Sequence, residues 1–316
     1  MKQLIRTVKI IGTGSYVPET VFTNEFLEQS IDTNAEWIYN NLGIQERRVA
    51  AEGQLTSDLA AKAGLRAIDH AGLTIEDIDL IIVATATPDR KAPSTAALVQ
   101  NKINAHKAVA FDVAAVCSGF LFATSVASQY VATGVYDNVL VIGADTFSTI
   151  TDWERRDAVF FGDGAGAAVF SHADEKEGFL AFRLYTDGTG KDNFTVYPGD
   201  KYFTMNGKAV YDTATEVLPK AITQVLYDAK MTIEDIDYML PHQPSIKILQ
   251  KTAESIGLPF EKVMTNMDKY ANTSGGTIPI LLDETNRAGR LKKGDNILFA
   301  AVGSGWTFGA AIMRWA

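Results

Sequence analysis

The stretch "LTIEDIDLIIVATATP" (Leu73–Pro88) returns in altered form as "MTIEDIDYMLPHQP" (Met231–Pro244), 158 residues later. A second pair, "YDNVLVIGAD" (Tyr136–Asp145) and "GDNILFAAVG" (Gly294–Gly303), has the same shift of 158. Two separate matches at one offset are the signature of a duplicated unit. A third pair, "GAGAAVF" (Gly164–Phe170) and "FGAAIMR" (Phe308–Arg314), aligns Gly166 with Gly309 at an offset of 143. The first copy therefore carries 158 less 143, or 15, additional residues, centred on "STITDWERRDAVFFG" (148–162). The chain divides into halves at 1–170 and 171–316.

Within each half, short apolar runs alternate with helical stretches. "LIIVATA" (80–86), "AVAFDVA" (108–114) and "NVLVIGA" (138–144) are continuous apolar runs of strand length, suited to strands covered on both faces. Helices are expected over Ser57–Ala71, Ser94–Ile103, Cys117–Thr133, Ala214–Ala229 and Ser245–Ile256, with Gly134 as a stop. Alternating strands and helices imply an α/β fold. Duplication implies two sheets about a pseudo-twofold, sharing a central layer of helices.

The composition, 47% hydrophobic and 21% charged, is that of a globular protein. One cysteine among 316 residues excludes an intrachain disulfide and Cys-rich zinc sites, and the cytoplasm is the expected compartment. The opening "MKQLIRTVKIIGTG" has too short an apolar run for a signal peptide, and no stretch reaches the length of a membrane span. A net charge of −9 argues against a nucleic-acid partner, and no metal-ligand spacing occurs.

That lone cysteine sits in "FDVAAVCSGFLFA" (Phe111–Ala123), and the 158 offset lands Cys117 on Gly275 in "YANTSGGTIP" (Tyr270–Pro279). The two strand-to-helix turns meet at the junction of the halves. The same offset pairs Ala84 with His242, so "PHQ" follows the equivalent strand. Cys117 has two readings. It is a packed small hydrophobe, or a nucleophile whose pKa the start of a helix lowers. His242 stands apart from His70, His106 and His172, which lie in polar or helix-end contexts. It is a turn residue, or an acid, base or donor. Asn272 is an N-cap, or an amide donor aimed at a developing oxyanion. The glycines of "GTGSYV" and "GDGAG" match neither a dinucleotide fingerprint nor a phosphate loop and read as close backbone packing. "VGSGWTFGA" (Val302–Ala310) is a candidate source of backbone N–H groups in a cleft.

With these residues placed, the chain resembles the thiolase-fold condensing enzymes, and among them the β-ketoacyl-acyl-carrier-protein synthase III family. The resemblance rests on "IIGTGSYVPE", "TNAEWI…GIQERR", "FDVAAVCSGF", "FGDGAGAAV", "PHQ", "NTSGGTIP" and "GSGWTFGAA", in order along the chain. It implies a thiolase-like duplicated fold of five layers, α-β-α-β-α, with mixed sheets. It also implies a decarboxylative Claisen condensation through an acyl-Cys117 intermediate. His242, protonated on its substrate-facing nitrogen, and Asn272 would donate to the enolate oxygen. The backbone N–H groups of Cys117 and Ser304 would form the oxyanion hole. Acyl-coenzyme A, a malonyl thioester and an acyl carrier protein are the implied partners, a homodimer the implied assembly, with no metal or redox cofactor. Trp37, Arg156, Lys247, Ala92 and Met205 fall at implied substrate-binding positions.

Three departures stand out. Asn41 replaces an arginine that contacts coenzyme A. Ala92 replaces a phenylalanine that closes the acyl pocket of the neighbouring subunit, which suggests an acyl group larger than acetyl. Ser304 interrupts the family's triple glycine. Acyl transfer to an alcohol or amine, without carbon–carbon bond formation, is the alternative activity.

Overall fold

The computed structural model describes residues 7–173 and 177–316; the opening six residues of the stretch read for a leader lie outside them. In the first half the elements are β1 (Thr7–Tyr16), β2 (Thr20–Thr23), α1 (Asn24–Leu27), α2 (Ala35–Leu42), β3 (Glu46–Val49), α3 (Thr56–His70), β4 (Leu80–Ala84), α4 (Thr95–Lys102), β5 (Val109–Val113), α5 (Gly119–Ala132), β6 (Val139–Thr146) and β7 (Asp163–Ala173). In the second they are β8 (Gly178–Thr186), β9 (Phe194–Thr195), β10 (Thr204–Met205), α6 (Gly207–Ala229), β11 (Tyr238–Pro241), α7 (Ile246–Ile256), α8 (Met267–Tyr270), α9 (Thr277–Arg287), β12 (Asn296–Gly303) and β13 (Thr307–Arg314). Helix ends follow local chemistry. Asn34 Oδ1 accepts from Trp37 N at 2.7 Å to start α2, and Gly43, at φ 78°, stops it. Gly134, at φ 72°, ends the turn after α5 as expected. α6 begins seven residues before the expected Ala214, because Asn206 caps it through Ala209 N.

Two mixed sheets result, ordered β1-β7-β6-β4-β5 and β11-β12-β13-β8. β4 runs parallel to β5 and β6, as β11 does to β12, and the remaining pairs are antiparallel. Period-two alternation assigns each side chain to a layer. In β4, Leu80, Ile82 and Ala84 face the central core, whereas Ile81 and Val83 face outward. In β12, Ile297, Phe299 and Ala301 face the same central core, and Leu298, Ala300 and Val302 face the opposite way. α5 and α9 fill the space between the sheets through Phe120, Leu121, Ile278 and Leu281. α3 and α4 cover one outer face, α6 and α7 the other. This is the five-layer α-β-α-β-α order.

The repeat holds at the level of single hydrogen bonds. Asp77 and Asp235, 158 apart, take the backbone N–H of Thr74 and Thr232 at 2.8 Å each. Asn138 and Asn296 each reach back to the carbonyl of that same aspartate. One expectation changes. β5 is covered only in part: Phe111 and Val113 pack toward the central core and Ala110 toward the outer one, but the strand forms a sheet edge and leaves Val109 48% exposed. Its counterpart in the second half shrinks to a single Met239–Val263 bridge.

The glycine runs are packing devices. A Cβ on Gly14 would lie 2.4 Å from Ala67 N on α3, and one on Gly166 would lie 2.4 Å from Ile280 N on α9. Among the described residues, no helix is long and apolar enough to cross a membrane.

Candidate active site

Cys117 follows Ala114 and Ala115 at the end of β5 and lies in a tight turn, Val116–Ser118, ahead of α5. β13 pins this turn. Ser118 Oγ donates to Thr307 O at 2.9 Å, and Thr307 Oγ1 donates to Ala115 O at 3.1 Å. The equivalent turn, Ser274–Gly276, precedes α9 and follows Asn272 and Thr273. Asn272 is held on both sides of its peptide: its N–H donates to Phe160 O at 3.0 Å, and its carbonyl accepts from Gly162 N at 3.1 Å. Its Oδ1 accepts from Ser274 N at 2.8 Å. That bond fixes the amide orientation, so the Nδ2 hydrogens are left for the cavity. The capping-type bond and a donor role therefore coexist in one side chain.

His242 follows β11 and is 3% exposed. Its backbone N–H donates to Ala300 O at 2.8 Å. Its Nδ1 lies 2.8 Å from Thr277 Oγ1, and that hydroxyl donates to Ser274 O at 2.9 Å. The hydroxyl thus stands between two acceptors, His242 Nδ1 and Ser274 O, and Ser274 O also accepts from Thr277 N. Burial lowers the ring's pKa to about 3, so the imidazole is neutral. His70, His106 and His172 are exposed.

Cys117, His242, Asn272 and Ser304 line one cavity of about 280 Å³, with Trp37, Lys247 and Met205 also on its wall. Cys117 keeps some surface on this cavity but is otherwise enclosed, and burial pushes its thiol up to about 12. Nearby Ser274 lowers it, and the negative charge of Asp145 raises it further. The expectation of a helix-lowered thiol is therefore corrected: the resting sulfur is protonated. The cysteine is partly buried, yet it faces a cavity with a base and a donor beside it.

Asp145, wholly buried beneath the junction, was not singled out in the sequence. Its Oδ1 accepts from Ala86 N, Thr87 N, and the hydroxyls of Thr85 and Thr87 at 2.7–3.0 Å. Its Oδ2 accepts from Gly275 N at 2.9 Å. One carboxylate thus ties the β4 loop of the first half to the Asn272 turn of the second.

The extra residues of the first half add two aromatic rings to the apolar wall. Phe160 and Phe161 line the cavity with Phe194, Val302 and Trp306. Phe161 is backed by Phe147 and Phe203, with ring centroids at 4.7 and 5.0 Å. At the mouth, the Arg156 guanidinium lies 4.4 Å over the Trp37 ring, whereas Arg155 turns away to Phe203 O and Asp157. Lys247 on α7 donates to Asn41 Oδ1 on α2, bridging the mouth at the position where the family arginine is missing. Lys251 pairs with Glu254 on its own helix. Ala92 is exposed on the loop before α4 and does not line this chain's cavity. Among the described residues there is no cluster of side chains able to hold a metal.

Gly303 closes the space behind the sulfur. A Cβ there would lie 3.0 Å from both Cys117 N and Ser118 N. A strand glycine beside the Cys117 N–H leaves room for an oxyanion, while the Ser118 N–H donates to Ala115 O at 3.1 Å. Ser304 shares the cavity wall, with its hydroxyl turned away to Phe194 O at 2.6 Å.

The chain matches two family models, "3-Oxoacyl-[acyl-carrier-protein (ACP)] synthase III" over residues 111–188 and the corresponding C-terminal model over residues 226–315. It is 44% identical to the β-ketoacyl-[acyl-carrier-protein] synthase III of Clostridium acetobutylicum, covering 98% of this chain and 99% of that one. Among solved structures it resembles 3-oxoacyl-[acyl-carrier-protein] synthase III from Aquifex aeolicus VF5, with a TM-score of 0.95, 41% identity, and coverage of 98% and 100%. It also resembles the priming β-ketosynthase of the R1128 polyketide pathway, with a TM-score of 0.94, 28% identity, and coverage of 100% and 98%.

Proposed function

The chain belongs to the 3-oxoacyl-[acyl-carrier-protein] synthase III family, and we propose that Cys117, His242 and Asn272 carry the condensation that this membership entails. The enzyme is an acyltransferase that joins an acyl thioester to a malonyl thioester and gives a 3-oxoacyl thioester. The observation that supports the residue assignment is convergence. A thiol from one half, and an imidazole and an amide from the other, line one enclosed cavity.

In the first step Cys117 Sγ attacks the acyl carbonyl. His242 receives the thiol proton and passes it to the departing thiol, so one thioester forms as another breaks. The carbonyl oxygen, negative in the transition state, sits against the backbone N–H groups of Cys117 and the Gly303–Ser304 segment. In the second step the malonyl thioester loses carbon dioxide. Asn272 Nδ2 donates to the enolate oxygen as charge builds there. The carbanion attacks the acyl-Cys117 carbonyl, the sulfur leaves, and a solvent proton restores the thiol. The thioesters supply the activation, and the reading needs no metal or redox cofactor. Acyl transfer to an alcohol or amine is not favoured, since the matched relatives are synthases.

The donor side of the proposal rests on the mouth. The Trp37–Arg156 stack suits a nucleobase, and Lys247 suits a phosphate, which supports acyl-coenzyme A with a carrier-bound malonyl partner. A homodimer through the open edge of β5 is part of the reading, because an uncovered parallel edge invites a second copy. Ala92 then acts on the partner's acyl pocket rather than on its own. The reaction is placed in the cytoplasm, in keeping with one unpaired cysteine.

The test is intact-mass detection of the acyl adduct across acyl-coenzyme A donors of varied length and charge, with carbon dioxide release from the malonyl thioester. Cys117→Ala should abolish the adduct. An adduct that persists in that variant would overturn the assignment.

A further inference from the structure

The Asn272 amide depends on Ser274, whose N–H donates to Asn272 Oδ1 at 2.8 Å. Yet Ser274 holds φ at 51°, in the left-handed region that a serine adopts only at a cost. Such a backbone persists where its surroundings over-determine it. The peptide unit between Ser274 and Gly275 supplies the grip. Its carbonyl accepts from Thr277 Oγ1 at 2.9 Å and from Thr277 N. Its N–H, on Gly275, donates to Asp145 Oδ2 at 2.9 Å. The first hold is local to the turn and α9. The second comes from β6 in the other half, through a buried carboxylate that neither step of the reaction consumes.

We infer that Asp145 is a positioning residue, which holds Ser274 in its left-handed conformation and thereby aims the Asn272 amide at the enolate. The carboxylate is itself fixed. Its Oδ1 takes the N–H groups of Ala86 and Thr87 and the hydroxyls of Thr85 and Thr87, all from the first half. Oδ2 is the oxygen that reaches across to the second half. The contact is close: a Cβ on Gly275 would lie 3.2 Å from Asp145 Oδ2 and 3.2 Å from Ala84 O. With the grip released, Ser274 would relax toward negative φ. Its N–H would swing off Asn272 Oδ1, and the amide would lose its fixed orientation.

The effect falls on one step of the two. His242 is anchored apart from this turn, through its backbone N–H to Ala300 O. Its ring partner Thr277 opens α9, whose Ile278, Leu281 and Leu282 pack into the central core. Asn272 has no such second support for its side chain, whose orientation rests on the Ser274 N–H. Acylation of Cys117 therefore tolerates loss of the grip, and condensation does not. This inference rests on the functional reading above, which assigns Asn272 to the enolate.

Asp145→Asn in the full chain separates the two oxygens. The amide oxygen takes the four-donor place, which leaves Nδ2 against the Gly275 N–H, donor against donor. Acylation of Cys117 should fall by no more than about threefold, while condensation by enzyme already acylated should fall by about tenfold to a hundredfold. Thr85→Val, which removes one donor from Oδ1 alone, should leave the ratio of the two rates within about twofold of wild type. The decisive readout is a rescue. Ser274→Gly supplies a residue that adopts positive φ without penalty, and in that background Asp145→Asn should slow condensation by less than about threefold. Equal losses in the two steps, or an undiminished loss in the Ser274→Gly background, would mark Asp145 as merely structural and overturn the proposal. If Asp145→Asn does not fold, hydrogen exchange in ¹⁵N-glycine-labelled wild type decides, with Gly275→Ala assigning the signal among 25 glycines. The Gly275 amide should exchange among the slowest, and exchange at the rate of an exposed loop overturns the proposal. Failure of the wild type to form any adduct on Cys117 would instead sink the functional reading, while the amide exchange still decides the grip.

Discussion

Val116 and Ser274, 158 residues apart, both hold positive φ, at 46° and 51°, each immediately before the residue that begins the business end of its half. A β-branched residue in this region is a genuine outlier, so the first turn stores strain beside the nucleophile. The second of these turns packs directly on Gly143 of β6. A Cβ on Gly143 would lie 2.0 Å from Gly275 O. Gly143→Ala should therefore push the Ser274–Gly276 turn outward and carry Asn272 and Thr277 with it. We expect a loss of about 1–3 kcal/mol in stability, and a condensation rate at least about tenfold lower. Thermal unfolding and product assays check both. Unchanged turnover in a destabilised variant would show that the turn tolerates the shift.

Asn272 offers a cleaner separation of structure from chemistry. Asn272→Asp keeps an oxygen to accept from Ser274 N and replaces the donor with a second acceptor. The turn should persist and acyl-Cys117 should still form. Condensation should fall by roughly 10²–10³, the usual effect of losing one oxyanion donor. Adduct mass and product formation, measured side by side, decide it. Parallel loss of both would mean that the aspartate disturbs the cavity as a whole.

Much of this geometry was legible because the repeat is exact where the backbone matters. The 158 offset placed Cys117 opposite Gly275, and the two turns do meet. The aspartate and asparagine pairs of Asp77/Asp235 and Asn138/Asn296 repeat with it. What could not be read was the outcome of competing energies. A helix start lowers a thiol pKa by roughly 0.3–2 kcal/mol. Burial moves the Cys117 thiol from 9.0 to about 12, about 4 kcal/mol the other way. Likewise, the partner of His242 Nδ1 is a hydroxyl 35 residues away, and no local pattern announces it. Asp145 escaped notice because its five partners come from loops that only the folded junction brings together. An aspartate at the end of an apolar strand run, where the sheet should be buried, was the available signal.

His242 also makes stability depend on pH. In the folded protein its pKa falls to about 3 through burial, against an ordinary 6.5 in the unfolded chain. Below 6.5 the unfolded chain takes up a proton that the folded protein refuses. This contribution is therefore complete above about 6.5 and is lost as pH falls toward 3, by about 1.4 kcal/mol per pH unit. Asp163 works in the opposite sense, because burial raises its carboxyl from 3.8 to about 6 and stability falls as pH rises between those values. The difference between wild type and His242→Gln isolates the histidine. Urea unfolding of both at several pH values between 4 and 7.5 should show the wild type losing its advantage on the acid side. Parallel curves would mean that the ring is not held neutral.

The last test concerns the space behind the sulfur. Gly303 ends β12, and a Cβ there would sit 3.0 Å from both Cys117 N and Ser118 N. That volume lies where an acyl oxygen would approach the backbone donors. Gly303→Ala adds one methyl group to a strand that otherwise accepts alanines at 300 and 301, so the fold should hold. The methyl should block the oxyanion and slow acylation by roughly 10²–10³, with little change in the binding of the intact donor at the mouth. Single-turnover acylation of Cys117, set against donor affinity measured in the Cys117→Ser background, separates the two. Weakened affinity with an unchanged acylation rate would place the methyl in the acyl channel, and the oxyanion would then have to be held elsewhere.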